Sequence, residues 1–139
     1  MAKLIRFGIS MNADLLEKFD RIVARKGYSN RSEAIRDLIR DELVETEWES
    51  EEAEVAGTIT LVFDHHIKGL SHLLLEQQHE YHDLILTSTH VHLDHHNCLE
   101  VLIVKGKAAE AKKVAEKLIS IKGVKHGKLT IASTGRGLS

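Results

Sequence analysis

The first 45 residues contain a single segment with the pattern of a β-strand, and this lone strand limits most strongly what the chain can fold into. In "KLIRFGISM" every second side chain is apolar. In a strand these side chains share one face, which is formed by Ile5, Phe7, Ile9 and Met11. Two helical patterns follow, in "NADLLEKFDRIVARKG" and "YSNRSEAIRDLIRDEL", with Asn12 and Asn30 at the N-cap positions. So short a segment buries too little apolar surface to fold alone, and its strand has no partner within it. We therefore expect two chains to pair their strands into an antiparallel ribbon.

The outer face of this ribbon would carry Arg6, Gly8 and Ser10 from each chain. A two-stranded ribbon fits the major groove of double-stranded DNA, where an arginine can bind guanine through two hydrogen bonds. Gly8 offers no side chain for such contacts, so base recognition would depend on Arg6 and Ser10. The N-terminus of the second helix, around Arg31 and Ser32, offers free amides to a phosphate.

The strand–helix–helix order and the segment "NRSEAIRDLIR" resemble the ribbon-helix-helix family of DNA-binding proteins. Residues 1–41 hold nine Lys and Arg residues against six Asp and Glu residues, a net charge of +3 that suits a nucleic-acid partner. We assign this domain to residues 1–48. The alternatives are a generic dimerisation module or an antitoxin that uses the same fold.

An acidic stretch separates this domain from the rest of the chain. Residues 42–54 hold seven glutamates and no base, and we predict a linker at residues 49–57. The patterns of the remainder, residues 58–139, follow the order β-α-β-β-α-β of a ferredoxin-like fold. The complete chain is thus expected to be an α+β protein. Helices would cover only one face of its antiparallel sheet, so we expect a second copy to cover the other.

The segment "STHVHLDHHNCLE" places the chain's one cysteine shortly after an H-x-H pair. His90 and His92 share one face of the predicted strand. Residues 94–97 favour a turn, and cross-strand neighbours in a hairpin have Cβ atoms about 5 Å apart. The hairpin would therefore bring Cys98 beside His92, with His90 completing a group of three metal ligands. Glu100 lies on the same face as Cys98 and can orient a ligand imidazole.

Three ligands leave at least one position to fill. The candidates are His72, His79, His82, His95 and His96. Imidazole and thiolate together suit Zn, Cu or Ni, and a square-planar site favours Ni(II) or Cu(II). The residues alone do not decide among these metals. His65 and His66 are predicted to be surface residues, and Lys68 to be a phosphate contact.

Over nearly its full length the chain resembles the nickel-responsive repressor family NikR. The resemblance is carried by "NRSEAIRDLIR", "QHEYHDL", "HVHLDHHNCLEVLIVKG" and "GVKHGKL". It implies an ACT-type C-terminal domain, a homotetramer built as a dimer of dimers, and one square-planar Ni(II) per subunit. The implied ligands are His90, His92 and Cys98 of one chain and His79 of a neighbouring chain.

The resemblance also implies the activity: binding of double-stranded operator DNA when Ni(II) is bound, with repression of nickel-uptake genes. It further implies that Glu33 and Asp37 can hold a secondary cation between the domains; the alternative is that these two carboxylates form a solvated helix face. The rival hypothesis is a Ni or Cu buffer without sequence-specific DNA binding. Such a buffer would have no need for Arg6 on an exposed ribbon.

Other classes of protein fit less well. Catalysis by Cys98 would need an oxyanion hole and an orienting group, which the sequence does not supply, so we expect neither an enzyme nor a small-molecule substrate. No segment approaches the roughly 18 apolar residues of a membrane span, and the N-terminus has no export signal. A single free thiol fits a reducing cytoplasm.

Overall fold

Two helices, α1 (Ala13–Arg25) and α2 (Arg31–Glu49), provide the regular structure of the N-terminal part. The computed structural model describes residues 3–139, and its contacts divide the chain between Arg40 and Asp41 into two units. The side chain of Asn12 accepts a hydrogen bond from the backbone N–H of Asp14 at 3.2 Å, and that of Asn30 accepts one from Glu33 at 2.8 Å. Both predicted N-caps are thereby confirmed.

Residues 3–12 form no strand in the single chain, although their alternating pattern predicts one. A strand is defined by the hydrogen bonds it exchanges with another, and this segment has no partner strand among residues 3–139. Its apolar side chains are strongly exposed: Leu4, Ile5 and Phe7 each leave more than 70% of their surface open. An apolar face left exposed in the single chain is what we expect of a ribbon strand whose partner strand belongs to a second chain.

The acidic stretch is mostly helical. Its residues up to Glu49 lie in α2, and the first strand, β1, spans Glu54–Asp64. Only residues 50–53 connect the two, so the connection is shorter than the linker predicted at 49–57. Glutamate favours helix strongly enough to extend α2 through most of this region.

The second unit contains the elements β1, α3 (Leu70–Glu80), β2 (Ile85–His92), β3 (Asn97–Lys107), α4 (Ala108–Ile119) and β4 (Val124–Ile131). The sheet order is β2-β3-β1-β4, and every neighbouring pair is antiparallel. This is the predicted ferredoxin-like β-α-β-β-α-β arrangement. β2 and β4 are its edge strands.

The core lies between one face of the sheet and the two helices α3 and α4. Alternate residues of β1 and β3 are buried, as expected for strands with one covered face. The core includes from the sheet Val55, Ile59, Phe63, Cys98, Leu102 and Val104, and from the helices Leu70, Leu74, Ala111, Val114 and Leu118. On the other face, Val91 and Ile103 remain more than 40% exposed.

The segment "IKGLSHLLLEQQHEYHD", residues 67–83, has the apolar spacing of a helix, but α3 begins only at Leu70. Gly69 precedes it with φ of 81°, a left-handed conformation in which glycine alone is unstrained. The pattern at residues 67–69 thus continues the helical period without being helical. Within residues 3–139, no helix combines the length and the apolar character needed to cross a bilayer.

Trp48 anchors the end of α2 within the second unit. It is 2% exposed, and its indole Nε1 donates a hydrogen bond to the carbonyl oxygen of Ala132 at 2.8 Å. Its ring lies so close to β1 that a Cβ added to Gly57 would meet it at 3.0 Å. The same Cβ would meet the backbone carbonyl oxygen of Thr130 at 2.7 Å, so Gly57 allows both β4 and the indole to approach β1 closely.

Replacing Trp48 with alanine should lower the free energy of unfolding by about 3–5 kcal/mol, because it removes a large buried ring. Trp48→Phe keeps much of the packing and loses the hydrogen bond, so a smaller loss of about 1–3 kcal/mol is expected. Urea unfolding followed by circular dichroism at one fixed chain concentration measures both. Equal stability of Trp48→Ala and the parent would show that the indole does not hold α2 in place.

Candidate metal centre

The hairpin of β2 and β3 brings the cysteine next to the H-x-H pair. His92 pairs with Cys98 and His90 with Glu100 in the antiparallel register. The distance from His92 Nδ1 to Cys98 Sγ is 3.2 Å. The predicted folding back of the strand, and the contact between His92 and Cys98, are therefore confirmed.

Asp94 fixes the turn of this hairpin. Its carboxylate accepts backbone hydrogen bonds from His96 and Asn97, both at 2.8 Å, and two more from the Asn97 side chain. These hydrogen bonds, above all those from Asn97, lower the pKa of Asp94 to about 2. The carboxylate thus stays charged and holds the turn at any pH near neutrality.

The thiol of Cys98 is completely buried, in contact with two imidazoles. Besides His92, the Nδ1 atom of His65 lies 3.1 Å from its Sγ. Burial raises the pKa of the Cys98 thiol, and burial likewise lowers the pKa of His65. In the metal-free protein near neutral pH, a protonated thiol therefore faces a neutral imidazole.

His65 is the site residue that sequence reasoning missed, since it was predicted to lie on the surface. It follows β1, and the pairing of β1 with β3 places Phe63 opposite Cys98. The nitrogen and sulfur atoms of His65, His92 and Cys98 all lie within 4.8 Å of one another, close enough to share one metal ion. No local pattern reveals this, because β1 and β3 are separated by more than thirty residues.

Glu100 is buried at 7% exposure beneath His90. Its carboxylate accepts a hydrogen bond from the side chain of Gln78 at 2.9 Å, and its other oxygen lies 3.8 Å from His90 Nδ1. Burial raises the pKa of Glu100, although the charge of His90 and the hydrogen bond from Gln78 oppose the rise. At 3.8 Å, His90 Nδ1 and the Glu100 carboxylate are too far apart for a hydrogen bond.

His79, the predicted fourth ligand, lies elsewhere in the single chain. It is exposed on α3, and its nearest ring partner is His82, with centroids 6.5 Å apart. Because β2 is an edge strand and its side chains are largely exposed, the imidazoles of His90 and His92 are accessible to a neighbouring molecule, whereas Cys98 is buried.

The predicted DNA contacts lie at the surface. Arg6, Gly8, Ser10, Arg31, Ser32 and Lys68 are all exposed. Arg31, however, forms two hydrogen bonds of 2.9 Å with Asp20 of α1. This pair holds the N-terminus of α2 against α1.

The predicted secondary cation residues are engaged by other side chains. Asp37 accepts hydrogen bonds from Tyr28 at 2.7 Å and from Arg40 at 2.8 Å, and these lower its pKa. Glu33 is paired with Arg36 and lies 3.7 Å from Arg40. The arginines supply positive charge at the position where a cation was expected.

Comparison with known proteins links this geometry to a family. The family model described as the NikR C terminal nickel binding domain matches residues 56–132, and that of the ribbon-helix-helix proteins of the copG family matches residues 5–46. Proteins named nickel-responsive regulators from Geobacter sp. (strain M21) and Geobacter metallireducens are each 59% identical over 138 residues, which cover 99% of both chains. One of the same name from Nitratidesulfovibrio vulgaris is 55% identical over the full length of both chains.

A solved structure shares the fold at low sequence identity. The uncharacterized protein TM1266 from Thermotoga maritima superposes with a TM-score of 0.52 at 17% identity, and the match covers 58% of this chain and 99% of that one. This likeness supports the fold alone. The full-length relatives and the two family models carry the assignment of class: a regulator of transcription and not an enzyme. The chain belongs to the NikR family of nickel-responsive regulators, with a ribbon-helix-helix domain followed by a nickel-binding domain.

Proposed function

We propose that this protein binds one Ni(II) per subunit and, in that form, binds operator DNA and represses nickel-uptake genes in the cytoplasm. The observation that carries the proposal is the buried thiol of Cys98 in contact with imidazole nitrogens on the exposed edge of the sheet. The proposed ligands are His90, His92 and Cys98 of one chain and His79 of a neighbour. A buried thiolate with imidazoles is a donor set that suits nickel.

The nitrogen–sulfur distances of 3.1 Å to His65 and 3.2 Å to His92 are those of hydrogen bonds between the Cys98 thiol and the imidazoles. A square-planar arrangement of three imidazoles and one thiolate would favour Ni(II) or Cu(II) over Zn(II).

His65 is the rival of His90 for one ligand position. Its Nδ1 already faces the sulfur, whereas His90 Nδ1 faces Glu100. His90 remains the proposed ligand because it shares a strand and a face with His92, and the two ring centroids are 5.4 Å apart. Loss of the sulfur-to-nickel absorption in His90→Ala but not in His65→Ala supports this choice; the reverse pattern assigns the position to His65.

Apolar surface in both units supports the proposed tetramer. Leu4, Ile5, Phe7, Ile9, Leu16, Phe19, Ile35 and Ile39 line one cavity in the N-terminal unit, where the ribbon and helices of a second chain would pack. In the other unit, the sheet face away from the helices exposes Val91 and Ile103. We propose that two such surfaces build a dimer of dimers, with the DNA-binding ribbons at its ends.

Nickel binding and DNA binding can be coupled because the proposed nickel site takes ligands from two chains. A site that takes His79 from a neighbour exists only in the arrangement that brings the two chains together. Bound metal can favour DNA binding only if this arrangement is also the one that binds the operator more tightly. A tenfold gain in operator affinity requires about 1.4 kcal/mol of coupling.

Contacts with DNA are assigned to the exposed residues of the N-terminal domain. Arg6 and Ser10 of the paired strands would reach base edges, while the amides near Ser32 would bind a phosphate. Arg31 would approach the backbone only if it exchanged its pairing with Asp20. Lys68, exposed after β1, is a proposed phosphate contact from the second domain.

Nickel affinity should rise with pH. The thiol of Cys98 must lose its proton to bind, and burial raises its pKa, so it is protonated near neutral pH. Affinity should increase by up to about tenfold per pH unit for each proton released, until the pH exceeds the raised pKa. Chelator competition at several pH values, with the chelator's own protonation taken into account, measures the slope. A flat profile over this range would mean that no thiol proton is displaced.

Mixing two inactive variants should rebuild part of the nickel binding. His79→Ala lacks the ligand supplied to a neighbour, and His90→Ala lacks one supplied by the hairpin. In a hybrid tetramer some sites combine an intact hairpin with an intact His79, so the sulfur-to-nickel absorption should partly return. His126→Ala, which removes an exposed imidazole that is not among the proposed ligands, is the control and should bind nickel as the parent does. If the sulfur-to-nickel absorption does not return although subunit exchange has been verified, His79 is not a ligand supplied by a neighbouring chain.

Selection of genomic fragments distinguishes the regulator from the metal buffer. The purified protein is incubated with a fragment library at one ionic strength, with and without Ni(II), and the retained DNA is sequenced. We expect enrichment of fragments upstream of nickel-uptake genes only with Ni(II). Equal retention of all fragments in both samples would favour the buffer.

A further inference from the structure

One hydrogen bond joins the last turn of α3 to the centre of the sheet. The side-chain amide of Gln78 donates to the Glu100 carboxylate at 2.9 Å. Glu100 is buried and Gln78 is half-buried, so this hydrogen bond is largely shielded from water. A hydrogen bond to a carboxylate is among the stronger kinds. On the helix, Gln78 directly precedes His79, the proposed ligand for a neighbouring chain.

The sheet is the fixed side of this hydrogen bond. Glu100 lies on β3, which pairs with β1 on one side and with β2 on the other. Its partners in the two registers are Leu61 and His90. A strand held by two ladders of backbone hydrogen bonds belongs to the most stable part of a fold, whereas the ends of helices fray. The Glu100 carboxylate is therefore a fixed point against which the end of α3 can be held.

The neighbouring side chains of this turn restrain it less. The ammonium group of Lys117 in α4 donates to the Tyr81 hydroxyl at 3.0 Å, but this contact lies at the surface, where a long side chain loses conformational freedom for little gain. Gln77, the other glutamine of the turn, has a buried Oε1 atom with no hydrogen-bond partner among residues 3–139. Gln78 thus provides the buried restraint on the end of α3.

We propose that Gln78 is a positioning residue: through Glu100 it fixes the end of α3 and thereby directs His79 toward the nickel site of the neighbouring chain. The inference rests on the proposed function, in which His79 serves a neighbour. His79 is exposed, so its direction is set by the helix that carries it. A ligand that is already held in place loses less freedom when it binds a metal.

Amide hydrogen exchange of the metal-free protein tests the restraint itself. Gln78→Leu keeps a side chain of similar size and good helix propensity but cannot donate to Glu100. Gln77→Leu is the matched control, with the same substitution one residue earlier. Exchange of the amides of residues 78–81 should become about tenfold faster or more in Gln78→Leu and stay at the parent rate in Gln77→Leu. Equal exchange in all three proteins would overturn the proposal.

Mixed tetramers determine which chain's Gln78 a nickel site depends on. His90→Ala chains, which supply His79, are mixed with His79→Ala chains, which supply the hairpin. Gln78→Leu is then added to one kind of chain or to the other, and Ni(II) is titrated against a chelator. On the chain that supplies His79, it should lower the affinity of the rebuilt sites by about 10–100-fold, the usual effect of losing a residue that orients a ligand. On the chain that supplies the hairpin, it should leave this affinity unchanged.

Two results of the mixing experiment would contradict the role of Gln78. An equal loss of affinity in both mixtures would mean a general loss of structure, and a loss only on the hairpin chain would mean that Gln78 acts on His90. The sulfur-to-nickel absorption of the mixture without Gln78→Leu reports separately on the proposed function. If this absorption is absent, the proposed function and the role of Gln78 fail together; if it is present, the effect of Gln78→Leu on each chain decides the role of Gln78.

Discussion

Cys98→Ser is expected to abolish tight Ni(II) binding and, with it, nickel-dependent binding of DNA. Serine replaces a soft thiolate by a weakly acidic hydroxyl, which is a poor donor for square-planar Ni(II). Loss of a partner that merely orients a ligand commonly costs 10–100-fold in metal affinity, so losing the ligand itself should cost more than about 100-fold. The sulfur-to-nickel charge-transfer absorption should disappear. Zn(II), which accepts oxygen and nitrogen ligands, should be affected less.

Nickel titration by absorption, followed by a gel shift at the same nickel concentration, measures both effects. The oligomeric state and circular dichroism of Cys98→Ser should match the parent, because a single buried sulfur is replaced by a smaller oxygen and the rest of the core is unchanged. His126→Ala is again the control, because it removes a histidine that is not a proposed ligand. Tight nickel binding by Cys98→Ser with an unchanged spectrum would remove Cys98 from the site.

Arg6→Ala is expected to weaken operator binding strongly while leaving nickel binding intact. A bidentate contact with guanine contributes about 1–3 kcal/mol, and a paired ribbon would make it twice. Because each 1.4 kcal/mol corresponds to a factor of about ten, the loss for one ribbon should be at least about 30-fold. The apolar face that would pair the chains lies on the other side of the segment, so the oligomer should persist.

Lys3→Ala is the matched control for the lost charge. It removes a positive charge from the same exposed segment. A phosphate contact should weaken operator and random DNA alike, whereas a base contact should weaken the operator selectively. Fluorescence anisotropy with both DNAs at one salt concentration distinguishes the two. If Arg6→Ala discriminated the operator as well as the parent does, Arg6 would not read bases.

The sequence predicted the elements well where the pattern was local. The β-α-β-β-α-β order, both N-caps and the hairpin at Asp94 all depend on residues close together in the chain. The lone strand at residues 3–11 was not formed, because its hydrogen-bond partner belongs to another molecule. The predicted linker at residues 49–57 is longer than the connection found, because a run of glutamates is equally compatible with a helix.

The site was predicted only as far as the hairpin extends. His92 and Cys98 are joined by a short turn, so their contact could be inferred from spacing. The contact of His65 with Cys98 depends on the pairing of β1 with β3, which the sequence pattern does not specify. The ring contacts of His66 with His95 and His96 have the same origin, since strand pairing brings together loops that are distant in the chain.

Simultaneous titration of metal and DNA binding tests the central claim most directly. Ni(II) is added stepwise to the protein with a labelled operator fragment, and the sulfur-to-nickel absorption and the DNA anisotropy are recorded in the same sample. We predict that both rise together and saturate at one Ni(II) per chain, with a random fragment of equal length unbound. Full operator binding before any nickel is added, or saturation of the absorption band without a change in anisotropy, would contradict the proposal.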